Sequence, residues 1–308
     1  LGKTKVIMLS SLAFSGSTLF GLALGRHSRM TTLGEVMYLE RDYHPNLQCS
    51  CGERLGECPM WSRVVKQANS QSVDVQFKFD KKWKGVDFDK KGFNFYKFLL
   101  INGFRPQRIY RDDQIENYRI RNGNFFNLMG KEFPDTEYFV DLSKTPERME
   151  VLMGSPSIDA YYIHLRRNLK AVYKSNLSRR KMTRKGWGFK MLRESYLLHA
   201  RERHRRKVFD RVPKSKRITV DFDLFKAQPM QEYRHVLNWL NLQDEEIKDP
   251  RSLSIKKQHL YLGNRWLFSS DPNYDVQISE SSQKVELNRL ERMSFNIFKT
   301  LLNPNFKD

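Results

Sequence analysis

The chain has 308 residues, with 55 Lys and Arg against 35 Asp and Glu, a formal charge of +20. Its 21 Phe, 13 Tyr and 5 Trp supply ample material for a buried core, which excludes disorder of the whole chain and fits one large α/β domain. No run approaches the roughly 18 consecutive apolar residues of a membrane span, and Val6 to Leu9 is too short for a signal-peptide core. The expectation is a protein soluble as given, although a chain that opens at Leu1 could follow a trimmed tag or anchor.

Charge is concentrated. Between Arg166 and Arg217 there are twenty Lys and Arg and only three acids, Glu194, Glu202 and Asp210, so this segment carries +17. The expected partner is anionic: on charge alone a nucleic acid, an acidic polymer, a phosphorylated cofactor or an anionic membrane face all qualify.

In chain order, Val6-Ile7-Met8-Leu9 reads as a strand. The small-residue loop Ser10 to Gly16 follows it, and then a helical apolar pattern through Leu19, Leu22, Ala23 and Leu24. The region from Tyr43 to Glu132 is rich in Asn, Lys, Gly and aromatics, has weak periodicity and reads as an inserted cap. Within it helical spacing shows near Tyr96 to Leu100. Tyr138-Phe139-Val140 runs into Asp141 to Pro146 and a helix; Tyr161 to Leu165 runs into a helix from about Leu169. Ile218 to Phe222 leads through Pro229 into a helix over Tyr233 to Leu240, and Val285 to Leu302 reads as an amphipathic closing helix. Four βα units predict an α/β fold, a parallel sheet flanked by helices, in a single domain over 1–308 with the cap at 43–132 inside it.

Ligands of such sheets settle beyond the carboxyl ends of the strands, so the loops after Leu9, Val140, Leu165 and Phe222 should converge on one site. The first loop ends Phe14-Ser15-Gly16-Ser17-Thr18. Gly16 permits close backbone approach and Ser17 and Thr18 open a helix, a natural anion cradle. Against the G-x-x-x-x-G-K-S/T nucleotide loop, Ser11 stands at the first Gly and Ser17 at the Lys; only Gly16 and Thr18 fit. With the phosphate-reaching Lys missing and no Walker-type acid evident, an ordinary ATPase or GTPase is disfavoured.

A strand followed by Phe14-Ser15-Gly16-Ser17-Thr18-Leu19 resembles the 5′-phosphosulfate loop of sulfotransferases that use 3′-phosphoadenosine 5′-phosphosulfate (PAPS). A second segment, Arg167 followed eight positions later by Ser175, resembles the 3′-phosphate element of the same family, with Asn168 and Leu169 where Asp-Pro is usual. Asp141-Leu142-Ser143-Lys144-Thr145-Pro146 is similar to its D-x-S-K-S/T-P loop, and Val220 to Leu224 to its V-x-Y-E-D-L strand. His259-Leu260-Tyr261-Leu262-Gly263-Asn264 is similar to its late H-x-x-x-G-N loop. Cys49-Ser50-Cys51-Gly52 with Cys58-Pro59-Met60-Trp61 resembles a cysteine pattern of some bacterial members.

The resemblance implies a P-loop-like nucleotide fold with PAPS as donor and adenosine 3′,5′-bisphosphate as product, no metal being required. Donor binding falls to Ser15, Gly16, Ser17, Thr18 and Leu19, to Arg167 and Ser175, and to Gly263, Asn264 and Arg265 of the late loop. Arg offers a forked cation to a phosphate dianion and Ser a neutral donor. Sulfuryl transfer needs a cation on the departing oxygen and a base for the acceptor proton. Lys144 is the cation; Glu35, in Thr32-Leu33-Gly34-Glu35, resembles the G-E element that supplies the base in some carbohydrate sulfotransferases, and His259 is the fallback base. Phe222 reads either as an adenine-stacking aromatic or as core.

The acceptor is expected to bear a hydroxyl: a small molecule, glycan or lipid, with or without negative charge. Two rivals stand beside this reading, a P-loop kinase using ATP and a non-catalytic basic protein binding RNA or another polyanion. Arg179 to Lys190, with Trp187 and Phe189, suits nucleic acid, but its simpler reading is an electropositive wall that draws in PAPS. Arg201 to Lys207 reads as a solvated helix face. His44, Cys49, Cys51 and Cys58 offer four zinc ligands, yet C-x-C-x6-C lacks the usual C-x2–4-C knuckle, and a disulfide or buried thiols are preferred. An odd cysteine count favours a reducing compartment, so the cytoplasm is expected, with the Golgi lumen the alternative if an N-terminal anchor was trimmed.

Overall fold

A computed structural model describes residues 2–39, 43–70, 99, 101–102, 104–179, 187–243, 252–254, 258–263, 266–269, 275–278 and 285–303. Five strands, β1 (Thr4–Ser10), β2 (Met30–Gly34), β3 (Tyr138–Asp141), β4 (Ile158–Arg166) and β5 (Arg217–Asp221), form one all-parallel sheet in the order β2-β3-β1-β4-β5. The register sets Ile7 against Val140 on one side and Tyr161 on the other. The helix-flanked parallel sheet expected from the four βα units is therefore present.

Alternation along β1 explains why the sheet is covered on both faces. Val6 and Met8 pack with Phe139, Tyr162 and Trp61, whereas Ile7 and Leu9 pack with Phe20, Val140, Ile163 and Phe225. Each fully buried aliphatic of this strand contributes roughly 1.5–3 kcal/mol. On the second face lie α1 (Ser17–Leu24), α7 (Phe222–Ala227) and α8 (Pro229–Leu240), the last started by Pro229 and stopped at the left-handed Asn241. The first face takes α2 (Trp61–Ser70), α3 (Asp112–Glu132) and α4 (Pro146–Leu152), so α2 and α3, which fall within the expected cap, pack into the core.

After β4 come α5 (Leu169–Arg179) and the 25-residue α6 (Trp187–Arg211), against which α10 (Arg289–Leu302) closes, entered through a capping box of Asn288 and Glu291. A short antiparallel pair, β6 (Ser252–Ser254) with β7 (Asp275–Gln277), the four-residue α9 (Trp266–Ser269) and single 3-10 turns at Val36–Tyr38, Pro106–Arg108 and Lys214–Lys216 complete the described elements. No described helix is long and apolar enough to cross a membrane.

The structure departs from expectation in three places. Met30–Gly34 is an edge strand that the sequence reading does not foresee, since its two Thr and closing Gly carry no strong apolar pattern. The strand expected through Phe222 ends one residue earlier because Asp221 turns into an N-cap, its carboxylate accepting from the amides of Asp223 (2.9 Å) and Leu224 (3.2 Å). The Arg201 to Lys207 face is not simply solvated: Glu202, His204 and Arg205 are buried. Residues 180–186 of the basic stretch, and most of the helical spacing near 96–100, lie outside the described residues.

Candidate functional site

The loops after β1, β2 and β3 meet at the carboxyl edge of the sheet, and α6 closes the far side. Between them lies a cavity of about 190 Å³ lined by Ser11 to Ala13, Glu35, Ser143 to Pro146, and Arg201, His204 and Arg205 of α6, among others.

Backbone geometry builds the first wall. Phe14 (φ 64°) and Gly16 (φ 80°) both take left-handed conformations, which folds the loop back before the first turn of α1. A Cβ on Gly16 would stand 2.2 Å from the Phe222 ring, so the ring seals one side of the loop and only glycine fits. Phe222 is core, 3% exposed. Ser15, Ser17 and Thr18 are buried, Leu19 is partly buried, and the buried Ser11 hydroxyl has no hydrogen-bond partner. The first turn of α1 leaves amides directed at the loop, the feature that favours an anion.

The second wall is the loop from Asp141 to Thr145. Asp141 is buried, and its carboxylate accepts from Arg148 Nε (2.8 Å) and from the Ser143 amide (2.9 Å) and hydroxyl. Fixed there, Ser143 receives the Met37 amide (3.1 Å), and Lys144 turns into a left-handed conformation, φ 63°, uncommon for a residue with a Cβ. Its ammonium donates to the Glu35 carboxylate in a short ion pair at the cavity. Glu35 reaches that position from the end of β2, its amide bonded to the Tyr261 carbonyl (2.7 Å).

Arg167, at the end of β4, donates to the Phe14 carbonyl (2.5 Å), two residues before Gly16, and its Nε has no hydrogen-bond partner. Asp223 lies 3.9 Å from it. The two expected anion elements thus meet at one loop. Ser175, two turns into α5, gives its hydroxyl to the Ala171 carbonyl (2.9 Å). Gly263 (φ 149°) lies beside the first turn of α1: a Cβ there would come within 3.9 Å of the Thr18 methyl. Asn264 and Arg265 lie outside the described residues.

His259 stands apart from the Glu35–Lys144 pair. Its Nδ1 is 3.3 Å from Cys58 Sγ, and Cys58 in turn lies 3.6 Å from Cys49 Sγ and 3.8 Å from Cys51 Sγ. The three cysteines are free thiols, and the fourth member of their cluster is His259 rather than His44, whose ring accepts the Asn46 amide. Contact with Cys49 and with His259 pulls the Cys58 thiol down to about 4 against the opposing effect of burial, whereas the hydrogen bond to Cys58 and burial push Cys49 up.

The α6 wall is what sequence reasoning missed. His204 Nε2 lies 2.9 Å from Glu147, and His164 Nε2 lies 3.4 Å from Glu202. Burial acts to raise both carboxyls, but the facing His residues and Arg205 outweigh it, leaving Glu147 lowered and Glu202 down to about 2. Burial pulls Arg205 down, and its Nε has no hydrogen-bond partner. A signal exists in the sequence: buried Leu197, Leu198 and Val208 place residues 201, 204 and 205 on the same inward helix face, at spacings of three and four.

No protein-family model matches the chain, and no curated protein matches it by sequence. Solved structures do. The sulfotransferase domain from the curacin biosynthetic pathway is 14% identical, with 98% of this chain and 98% of that one covered and a TM-score of 0.53. The sulfotransferase domain from the Synechococcus PCC 7002 olefin synthase is 13% identical, covering 96% and 95%, with a TM-score of 0.50. Matched almost end to end by both, this chain has the sulfotransferase fold.

Proposed function

We propose that this protein transfers a sulfuryl group from PAPS to a hydroxyl of a carbohydrate or other small organic acceptor and releases adenosine 3′,5′-bisphosphate. The observation that carries the reading is the Glu35–Lys144 ion pair, held at one cavity between the phosphate loop and the Asp141–Thr145 loop, with Arg167 bonded to that same phosphate loop. The residues present suit the donor. Ser11 Oγ and Arg167 Nε are buried polar atoms without a hydrogen-bond partner, free to take anionic oxygens.

PAPS supplies an activated sulfate on a phosphate leaving group. Ser15 to Leu19 hold the 5′ end through backbone amides and hydroxyls; Arg167, with Ser175 and the late loop from Gly263, takes the 3′-phosphate. Anionic oxygens entering the cavity compete for Lys144 and release the Glu35 carboxylate toward the acceptor. Glu35 accepts the hydroxyl proton as the acceptor oxygen bonds to sulfur, and the sulfur–oxygen bond to the phosphate breaks with its electron pair stabilised by Lys144. By analogy with loose phosphoryl transfer, alignment and electrostatics supply most of the acceleration. Free thiols and a chain without a disulfide scaffold suit a reducing compartment such as the cytoplasm.

Incubation with sulfur-labelled PAPS and a panel of sugars, phenols and aliphatic alcohols tests the reaction: label transferred to an acceptor, with bisphosphate formed in equal amount, is the expected result. Ligand-dependent thermal shifts test the donor. Stabilisation by adenosine 3′,5′-bisphosphate without metal is expected, and greater stabilisation by ATP with Mg²⁺ would overturn the sulfotransferase reading in favour of its kinase rival.

A further inference from the structure

We propose that Cys49, Cys51, Cys58 and His259 form a structural zinc site that fastens the cap to the edge of the sheet carrying Glu35. All four potential ligand atoms lie within 4.8 Å of one another. A tetrahedral ion with Zn–S of about 2.3 Å and Zn–N of about 2.0–2.1 Å would set sulfur atoms roughly 3.8 Å apart and sulfur to nitrogen roughly 3.5 Å apart. The separations around Cys58 are 3.6 and 3.8 Å to sulfur and 3.3 Å to nitrogen.

Van der Waals contact alone brings two thiols that close, so the weight rests on convergence. Four groups of the type zinc selects, three soft sulfurs and one imidazole, meet from two stretches of chain about 200 positions apart. A disulfide would answer this arrangement less well. Cys58 has three neighbours at similar range, and pairing it with one would leave a thiol and an imidazole facing each other unsatisfied.

The surroundings are built to hold such a centre. The turn from Leu47 to Leu55 is closed by Leu55 N to Leu47 O (2.8 Å), Cys49 N to Glu53 O (2.8 Å) and Gly52 N to Cys49 O (3.0 Å), with Gly52 at φ 98°. Cys58 stands just before α2, where its carbonyl receives the Ser62 amide (2.9 Å). Across the cluster, the Ser50 hydroxyl donates to the Gln258 carbonyl (2.7 Å) and accepts the Leu260 amide (2.8 Å), and the indole of Trp61 donates to the His259 carbonyl (2.9 Å). Residues 258–261 are thereby aligned on both sides, and Tyr261 continues them onto β2 through Tyr261 N to Leu33 O (2.8 Å) and Glu35 N to Tyr261 O (2.7 Å).

Four protein ligands leave no open position, which marks a structural rather than a catalytic ion. Its binding energy would be folding energy for the contact between the cap and the 258–263 segment. The inference stands on the ligands alone and does not depend on which group the enzyme transfers.

The test uses the full chain purified without chelators. Elemental analysis should find about one zinc per chain, and growth on Co²⁺ should give a tetrahedral visible spectrum with a thiolate charge-transfer band. A strong chelator should remove the ion and lower the melting temperature by about 10 °C. His259→Cys should keep one metal and shift the cobalt bands toward four-sulfur coordination, while Cys51→Ser, at the half-buried ligand, should lose metal on dialysis. If Cys51→Ser fails to fold, the cobalt spectrum of the unmodified chain still decides. A cooperatively melting protein that takes up no zinc from an equimolar supply and shows three titratable thiols overturns the proposal. So does an intact mass two hydrogens lighter than the reduced chain, the signature of a disulfide.

Discussion

The loop after β1 and the cysteine cluster are specified in opposite ways. The loop is a local object: seven consecutive residues from Ser10 to Gly16, two left-handed backbone positions and one glycine whose missing Cβ admits a phenyl ring. The cluster is a long-range object, completed by a histidine 201 positions from the nearest cysteine. Local objects survive in a sequence as motifs and can be read there; long-range objects appear only when the topology brings their halves together. The Glu35–Lys144 pair lies between the two extremes, each half borne on a readable loop but their meeting fixed by the order of β2 and β3.

Glu35→Gln should give the largest effect. It removes the proposed base while keeping shape, so turnover is expected to fall by about 10²–10⁴ with binding of adenosine 3′,5′-bisphosphate, measured by calorimetry, unchanged. Loss of nucleotide affinity at intact rate would move Glu35 from the chemistry to the donor pocket and detach the pair from the mechanism. Acid should come next. Glu202 is held at about 2 against an ordinary 4.5, the penalty of burial being outweighed by His164 and Arg205. Because the folded value is the lower one, the unfolded chain takes up the proton first as pH falls. The stabilisation is complete above about 4.5 and is lost progressively toward about 2, on the order of 3 kcal/mol. Urea melts across that window should show it, and Glu202→Gln should flatten the slope.

Gly16→Ala should cost about 2 kcal/mol or more in stability and weaken bisphosphate binding, because a methyl group would meet the Phe222 ring at 2.2 Å in a left-handed conformation. Thermal melts with and without the nucleotide measure both. If Phe222→Ala in the same chain restores binding, the ring contact is the cause; if it does not, the backbone conformation is.

What was legible follows the same division. The parallel sheet could be read because Val6 to Leu9, Tyr138 to Val140 and Tyr161 to Leu165 are compact apolar runs, each passing into a polar loop and then a helix. Gly16, Lys144 and Arg167 could be singled out because each stands in the loop that follows such a run. Glu35 was named without the strand that delivers it: Met30–Gly34 is short, at an edge, and owes its pairing to β3 rather than to its own composition. His259 reads from sequence as a fallback base because it sits in a loop that resembles a functional one, but the alignment of residues 258–261 between Ser50, Trp61 and β2 turns its ring to the thiols. Arg205 was hidden by its company, five cations in seven residues from Arg201 to Lys207 that look like a solvated face until Glu147 and Glu202 come in from α4 and from α6 itself.

Arg205 also gives the mildest and most discriminating test. It lines the cavity from α6, buried and with its Nε without a hydrogen-bond partner, and under the proposed reaction we assign it to the acceptor rather than the donor. Replacing a buried charge by an apolar side chain of similar length avoids a void, and Glu147 and Glu202 each keep their own histidine. Arg205→Met should therefore raise the acceptor KM about tenfold while the donor KM and kcat hold, and the effect should shrink for acceptors without a negative group. An equal rise in both KM values would place Arg205 on the donor instead, and the division of the cavity into a backbone-built donor wall and a side-chain-built acceptor wall would fail with it.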